Sequence, residues 1–314
     1  MKTILWLSAV VIITTIFVFF VTPAGEIVIE KSVSAMAPKP VTALMFGDMM
    51  LDRAVREKID EYGPAYPFEK IKQLFPGHDI VVANAEGAFT DNASVSAPDH
   101  SIMRFTFTKS LLPTLRSLGL TVLSQANNHT LDFGQSGLAS SKDAMEQNGI
   151  ASFGDPFNNN PGPLYVSVRN ETVAFVGYHQ FYNPDASTTL AAITQAHATG
   201  AFVTVYPHWG EEYNLGTTPL QTKLAHEFID AGADAVLGSH PHVVEPVEIY
   251  KGRAIFYSMG NFVFDQYWHD DVTHGLAVEI SLTKTEVSYT MIPFVIQNMQ
   301  PTPTGETKSF VLQR

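Results

Sequence analysis

Apolar residues follow two different patterns along the chain. From Ile4 to Val21 they run almost without interruption, ILWLSAVVIITTIFVFFV, behind a single Lys2. Eighteen residues of helix extend ~27 Å, close to the ~30 Å of a bilayer's hydrocarbon core. Residues 1–21 therefore read as an uncleaved, single-pass membrane anchor with the bulk of the chain outside the cytoplasm. Lys31 and Lys39 on the outer flank leave Lys2 a thin orientation signal. A cleaved signal peptide is the competing reading. Against it, Thr22-Pro23-Ala24 is a poor cut site, and Ala35-Met36-Ala37 stands far from the apolar run. Residues 22–40, with three prolines and no clear period, read as a linker.

After Val41 the pattern changes. Short β-branched runs predict strands at Val41–Phe46, Ile80–Ala83, Thr121–Gln125, Val173–Tyr178, Phe202–Tyr206, Ala235–Leu237 and Ala254–Tyr257. Between them, helices are predicted over Pro67–Phe75, Lys109–Leu118, Gln135–Asn148, Thr189–Ala198 and Thr218–Ala231. Gly119, Gly149, Gly200 and Gly232 each stand just past one of these helices, where a chain leaving a helix favours glycine. Strand–helix alternation predicts an α/β fold with buried, mostly central strands. Beyond Leu276 the helical signal fades. Ala277–Leu282 and Glu286–Met291 read as antiparallel strands, and residues 301–314 as a C-terminal tail closing a domain of 41–300.

Composition narrows the chemistry. Thirty-one acidic residues against nineteen Lys and Arg give a formal charge of −12, with no basic run. That balance excludes a nucleic-acid backbone as partner, because such binding rests on clustered cations. The chain has no cysteine. Disulfides, thiolate chemistry and Cys-ligated zinc are thereby excluded, and any metal must rest on His, Asp, Glu or Asn.

Such residues stand directly after the predicted strands. The first strand runs into Gly47-Asp48, the second into Asn84-Ala85-Glu86-Gly87, and the third leads to Asn127-Asn128-His129. Later strands lead to His208-Trp209-Gly210-Glu211-Glu212 and to Gly238-Ser239-His240-Pro241-His242. Open α/β sheets build their sites beyond the carboxyl ends of the strands, so five segments converge on one region. Mixed imidazole and carboxylate suits Zn, Mn, Fe or Mg, as one ion or two, and a carboxylate between two ions can bridge them. His-x-His adds to this, because alternate residues of an extended segment face the same way.

The segments GDMMLDR, DIVVANAEGAFT, ANNHTLDFG, HWGEEY, GADAVLGSHPHVVEP and YSMGNFVFDQ, in this order, resemble the successive motifs of the CapA (PgsA) capsule-synthesis family. The resemblance runs from about Val41 to Asp265. It implies the calcineurin-type, metallophosphatase-like fold, a four-layer αββα sandwich. It also implies ligands: Asp48, Glu86 in the place of the bridging carboxylate with Asn84 beside it, Asn128, His208, His240 and His242. His129 takes the place of the histidine that assists a leaving group or holds substrate. Where metallophosphoesterases carry Asp-x-His, this chain has Met50, so one metal position lacks a ligand unless Glu211, Glu212 or water completes it.

The remaining candidates carry two readings each. Asn84 and Asn127 either join the site or satisfy turn backbone. Arg53 either contacts an anionic substrate or caps the first helical region. Glu212 either orients His208 or lies on a solvated turn, and Asp132 either orients His129 or caps a helix. Asn261 either shapes its turn or reaches the site. His179 either enters the pocket or is structural. The implied role is a membrane-tethered component of poly-γ-glutamate capsule synthesis or export, with capsule-synthase membrane proteins and the anionic polymer as partners. A metal-dependent envelope hydrolase and a non-catalytic scaffold are the alternatives.

Overall fold

The computed structural model describes residues 15–21, 27–33, 39–97, 101–159 and 162–314. The chain divides into two compact units, Met1–Pro40 and Val41–Arg314. In the first, β1 (Thr15–Val21) and β2 (Ile27–Val33) pair antiparallel, Thr15 opposite Val33 and Val21 opposite Ile27. This corrects two expectations. Residues 15–21 form a strand where an anchor helix was expected, and Ile27–Val33 is a strand within the expected linker. Both stretches are rich in β-branched residues or Phe, which suit a pleated pair as well as a helix. Residues 1–14 and 22–26 lie outside the described residues. Among the described residues no helix is long and apolar enough to cross a membrane.

The second unit begins with β3 (Val41–Met49), α1 (Arg53–Tyr62), β4 (Ile80–Ala85), β5 (Ala88–Thr90) and β6 (Thr106–Thr108). It continues through α2 (Leu112–Leu118), β7 (Val122–Ser124), α3 (Gly134–Gln147), β8 (Ala151–Phe153), β9 (Leu164–Val168) and β10 (Glu171–His179). Next come α4 (Ser187–Ala198), β11 (Phe202–His208), α5 (Pro219–Asp230), β12 (Ala235–Leu237), β13 (Val247–Tyr250) and β14 (Arg253–Phe256). The chain closes with β15 (Asn261–Val263), β16 (His274–Leu282), β17 (Glu286–Gln297), β18 (Gln300–Pro303) and β19 (Lys308–Gln313).

One sheet runs β18-β17-β16-β3-β4-β7-β8, with β15 added on β3 and β19 on β17; the other runs β13-β14-β12-β11-β10-β9. The neighbours β3-β4-β7-β8 and β14-β12-β11-β10 are parallel.

Period-two side-chain direction divides each central strand between two cores. On β3, Leu44 and Phe46 face α1, α2 and α3, while Val41, Ala43 and Met45 face the second sheet. On β11, Phe202 and Tyr206 face the first sheet, while Val203 and Val205 pack on α4 and α5 through Ile193, Leu224 and Phe228. Three cores between four layers make the expected αββα sandwich.

Three sequence expectations change. Pro67–Phe75 is not one helix but two short 3-10 turns, Tyr66–Phe68 and Lys72–Leu74. α1 is an additional helix. Residues 301–314 are not a tail, because β18 and β19 both pair with β17. Phe310 there stacks on Tyr289 at 5.1 Å, so the segment extends the inter-sheet core.

At the site edge, β3 has a register irregularity between Met45 and Asp48. Asp48 N–H donates to the Gly260 carbonyl at 3.1 Å just before β15 joins β3. A Cβ on Gly47 would fall 1.8 Å from that carbonyl oxygen, which is backbone and cannot swing aside. Gly47→Ala should therefore destabilise the protein by roughly 3 kcal/mol, the upper end of ordinary overpacking. Urea denaturation of metal-stripped protein measures it, and an unchanged midpoint contradicts the close approach.

Candidate metal centre

Asp48, one residue before the end of β3, is fully buried, with both oxygens engaged. Oδ1 accepts from Asn84 Nδ2 at 2.8 Å and Oδ2 from the His240 backbone N–H at 2.9 Å. Asn84 lies opposite Asp48 in the β3–β4 register, and its amide nitrogen is also 3.2 Å from His208 Nδ1. Asn127 Nδ2 donates to Asn84 Oδ1 at 2.9 Å and to the Ala85 carbonyl at 2.8 Å. Its Oδ1 accepts the His129 N–H and the Thr130 hydroxyl. Asn84 and Asn127 thus brace the loops that carry the ligand candidates.

From the second sheet, His208 ends β11. Its Nδ1 lies 3.0 Å from Ser239 Oγ, and its Nε2 lies 2.7 Å from Asn128 Oδ1 and 3.2 Å from His240 Nδ1. Three lone-pair-bearing atoms meet there. His242 Nδ1 lies 2.9 Å from Asn261 Oδ1, and Asn261 Nδ2 donates to Gln266 Oε1 and the Val272 carbonyl. Asn261 therefore reaches the site and orients His242. With Nδ1–H donating to Asn261, the Nε2 lone pair turns to Glu86 Oε1 at 3.7 Å. Of the positions where sequence left two readings, Asn84, Asn127 and Asn261 all join the cluster.

Glu86 is 1 % exposed, and its Oε2 is buried without a hydrogen-bond partner among the described residues. Burial, then the Asp48 carboxylate, pushes Glu86 well above the usual carboxylate range. Burial raises Asp48 as well, against the pull of His242 and Asn84. Burial holds His208, His240 and His242 below the usual imidazole range. Two adjacent buried carboxylates, one with a bare oxygen, and three imidazoles kept neutral form a donor set that a divalent cation satisfies. Ligand atoms of Asp48, Glu86 and His208 lie within 4.8 Å of one another, as do those of Glu212, His240 and His242. Met50 is buried in the helix-side core and takes the Asp52 N–H on its sulfur at 3.1 Å, away from this donor set.

His129 stands at the edge, Nδ1 2.8 Å from Asp132 Oδ2 and Nε2 4.0 Å from Glu86 Oε1. Asp132 also accepts the Phe105 N–H at 2.7 Å, while α3 starts after Phe133 without a side-chain cap. Asp132 therefore orients His129 and does not cap the helix. Arg53 opens α1, its guanidinium paired with the Asp265 carboxylate and lying 4.9 Å over Phe105 and 5.5 Å over Phe264. It is a buried cation in the wall of the site, and its charge favours ionised Glu86.

Glu212 lies exposed on a turn, the second of its two readings, and its ligand atom is within 4.8 Å of those of His240 and His242. Sequence reasoning passed over Ser239, Asp265 and Phe181, whose ring lies 4.2 Å from His240. It left His179 undecided. His179 ends β10 in register with His208, and burial pushes it down to about 4. The signal was available for His179, which follows its strand as the other histidines do. Phe181 carries no such signal.

Residues 42–266 match the family model described as "Bacterial capsule synthesis protein PGA_cap". The chain is 30 % identical over 281 residues to the PGA biosynthesis protein CapA of Bacillus subtilis, covering 84 % of this chain and 73 % of that protein. It is also 30 % identical over 287 residues to the capsule biosynthesis protein CapA of Bacillus anthracis, covering 84 % and 69 %. Among solved structures, the purple acid phosphatase PPD1 of yellow lupin aligns with a TM-score of 0.43 at 11 % identity, covering 94 % of this chain and 58 % of that one.

The buried carboxylates generate a stability prediction. A folded-state pKa above the unfolded one gives Glu86 a contribution that is present at acid pH and lost as pH rises through the raised value. The depressed histidines act in the opposite sense, stabilising above their unfolded pKa and losing that as pH falls. At pH 8 in chelator, Glu86→Gln should stabilise the protein by ~1–3 kcal/mol, the cost of a buried unsatisfied group. The same variant should lose the rise in Tm that added Mn²⁺ produces in the parent. Melts with and without chelator check both.

Proposed function

We propose, because the chain belongs to the PGA_cap family of bacterial capsule synthesis proteins, that it serves poly-γ-glutamate capsule or related envelope-polymer synthesis or export through a divalent-metal centre. The observation that carries this is the bare, buried Glu86 Oε2 set among Asp48, Asn128, His208, His240 and His242. Those six side chains are the proposed ligands. A divalent cation held there supplies Lewis-acid polarisation of an anionic or carbonyl oxygen and neutralises the buried carboxylates. A membrane anchor with the domain outside the cytoplasm is part of this proposal on the apolar composition of Ile4–Val21 alone, since residues 15–21 of that run are a strand in the structure. Capsule-synthase membrane proteins and the polymer are the proposed partners. With a net charge of −12, contact with an acidic polymer centres on the metal site and not on the wider surface.

The His129–Asp132 pair favours a catalytic role over a scaffold. The Asp132 carboxylate holds the Nδ1 proton and leaves Nε2 facing the cluster, positioned to pass a proton to or from a substrate atom. A histidine kept only for packing has no need of this orientation.

Metal analysis of detergent-solubilised full-length protein tests the centre. Asp48→Ala and His240→Ala should each lower bound metal, and unchanged content in both refutes the site. His129→Ala should keep its metal and lose turnover of a model phosphodiester or γ-glutamyl substrate by about 10²–10⁴-fold, the usual contribution of a positioned acid or base. Capsule formation that persists undiminished in the His129→Ala strain favours the scaffold.

A further inference from the structure

We propose that the ligands of the centre divide between two metal positions, and that Glu212 is the carboxylate ligand of the outward-facing one, which it forms with His240 and His242, taking over the role that Met50 cannot fill. This rests on the metal-centre reading above and extends it to a second ion. The two donor groups differ in kind. Asp48, Glu86 and His208 are all buried, whereas the second group joins buried His240 and His242 to an exposed Glu212.

The backbone around Glu212 is built to hold it there. Trp209, three residues earlier, is a fully buried anchor. Its N–H donates to the Ser239 carbonyl at 3.1 Å, and its indole Nε1 donates to the Tyr257 carbonyl at 2.9 Å. Gly210 turns the chain at φ 90°, with the Gln221 side chain 2.5 Å from where a Cβ would stand. Tyr213, the next residue after Glu212, donates its N–H to the Pro241 carbonyl at 2.8 Å. Pro241 is the residue between the two histidines. The Tyr213 ring lies nearly parallel to His242 at 6.0 Å. Glu212 is thus held between two anchors, both tied to the segment that carries His240 and His242.

That hold carries backbone strain. Tyr213, His240 and His242 adopt φ of 65°, 99° and 60°, a region L-residues avoid at about 1–3 kcal/mol each. A carboxylate standing only in solvent requires none of it. The neighbouring acid is the internal contrast: Glu211 Oε2 accepts the Asn214 amide at 3.3 Å and closes its own turn. Glu212, whose carboxylate also takes the Tyr213 hydroxyl, has its ligand atom within 4.8 Å of those of His240 and His242.

Two ions held by such unequal donors should differ in exchange, the buried set tight and the Glu212 set looser. The test is titration of metal-stripped, detergent-solubilised full-length protein with Mn²⁺, followed by calorimetry and metal analysis. The parent should show two classes of site. Glu212→Gln should weaken the looser class by about tenfold or more and leave the tighter one, since groups supporting a metal site typically cost ~10–100-fold when lost. Glu211→Gln should leave both classes as in the parent. Both classes intact in Glu212→Gln overturns the assignment, as does a single parental class that Glu212→Gln does not weaken. Parent protein that takes up no Mn²⁺ overturns the metal-centre reading itself, so the two failures are distinguishable. Melting curves of Glu212→Gln against Glu211→Gln separate loss of a ligand from loss of fold.

Discussion

The Asp48 carboxylate is a point at which the two sheets are joined chemically. One oxygen is held by Asn84 of the first sheet, the other by the backbone of His240 at the end of the second. Burying that charge is costly unless every lone pair is used, and the surrounding loops are arranged around this requirement. Asn127 fixes Asn84, Ser239 and Asn128 flank His208, and Asn261 orients His242. Packing supports the same point from below. Phe46, two residues before Asp48, stacks on Phe262 at 4.0 Å, and its carbonyl accepts the Tyr206 hydroxyl from the opposite sheet.

Buried charge without an ion is unfavourable here, and that couples stability to function. Glu86 carries an unpartnered oxygen, and three imidazoles are packed too tightly to protonate easily. Strained φ values at His240 and His242 fit the same trade, since left-handed backbone away from glycine persists only where surrounding structure enforces it.

Met50, which the motif resemblance sets where metallophosphoesterases carry a histidine, has its side chain in the helix-side core. The loop after β11 brings an acid to the same pair of histidines from the other sheet.

Much of this was legible in the sequence, for a local reason. An apolar run ending in Asp, Asn or His places that side chain at a strand's carboxyl end whatever the rest of the chain does, so the five polar segments could be placed before any fold, while the choice of Asp48, Glu86, Asn128, His208, His240 and His242 within them came from the family resemblance. Strand–helix alternation likewise implied the layered α/β class. Tertiary structure alone decided matters that depend on distant partners. Asp132 turns to His129 instead of capping α3. Glu212 meets His240 and His242 because Tyr213 bonds Pro241. Residues 308–313 become a strand because β17 offers an edge. Residues 15–21 pair with 27–33, although their composition suited a helix equally. Local pattern constrains direction and period. Which partner a side chain meets depends on register between segments as far apart as the 192 residues separating Asp48 from His240, and only the folded chain sets that register.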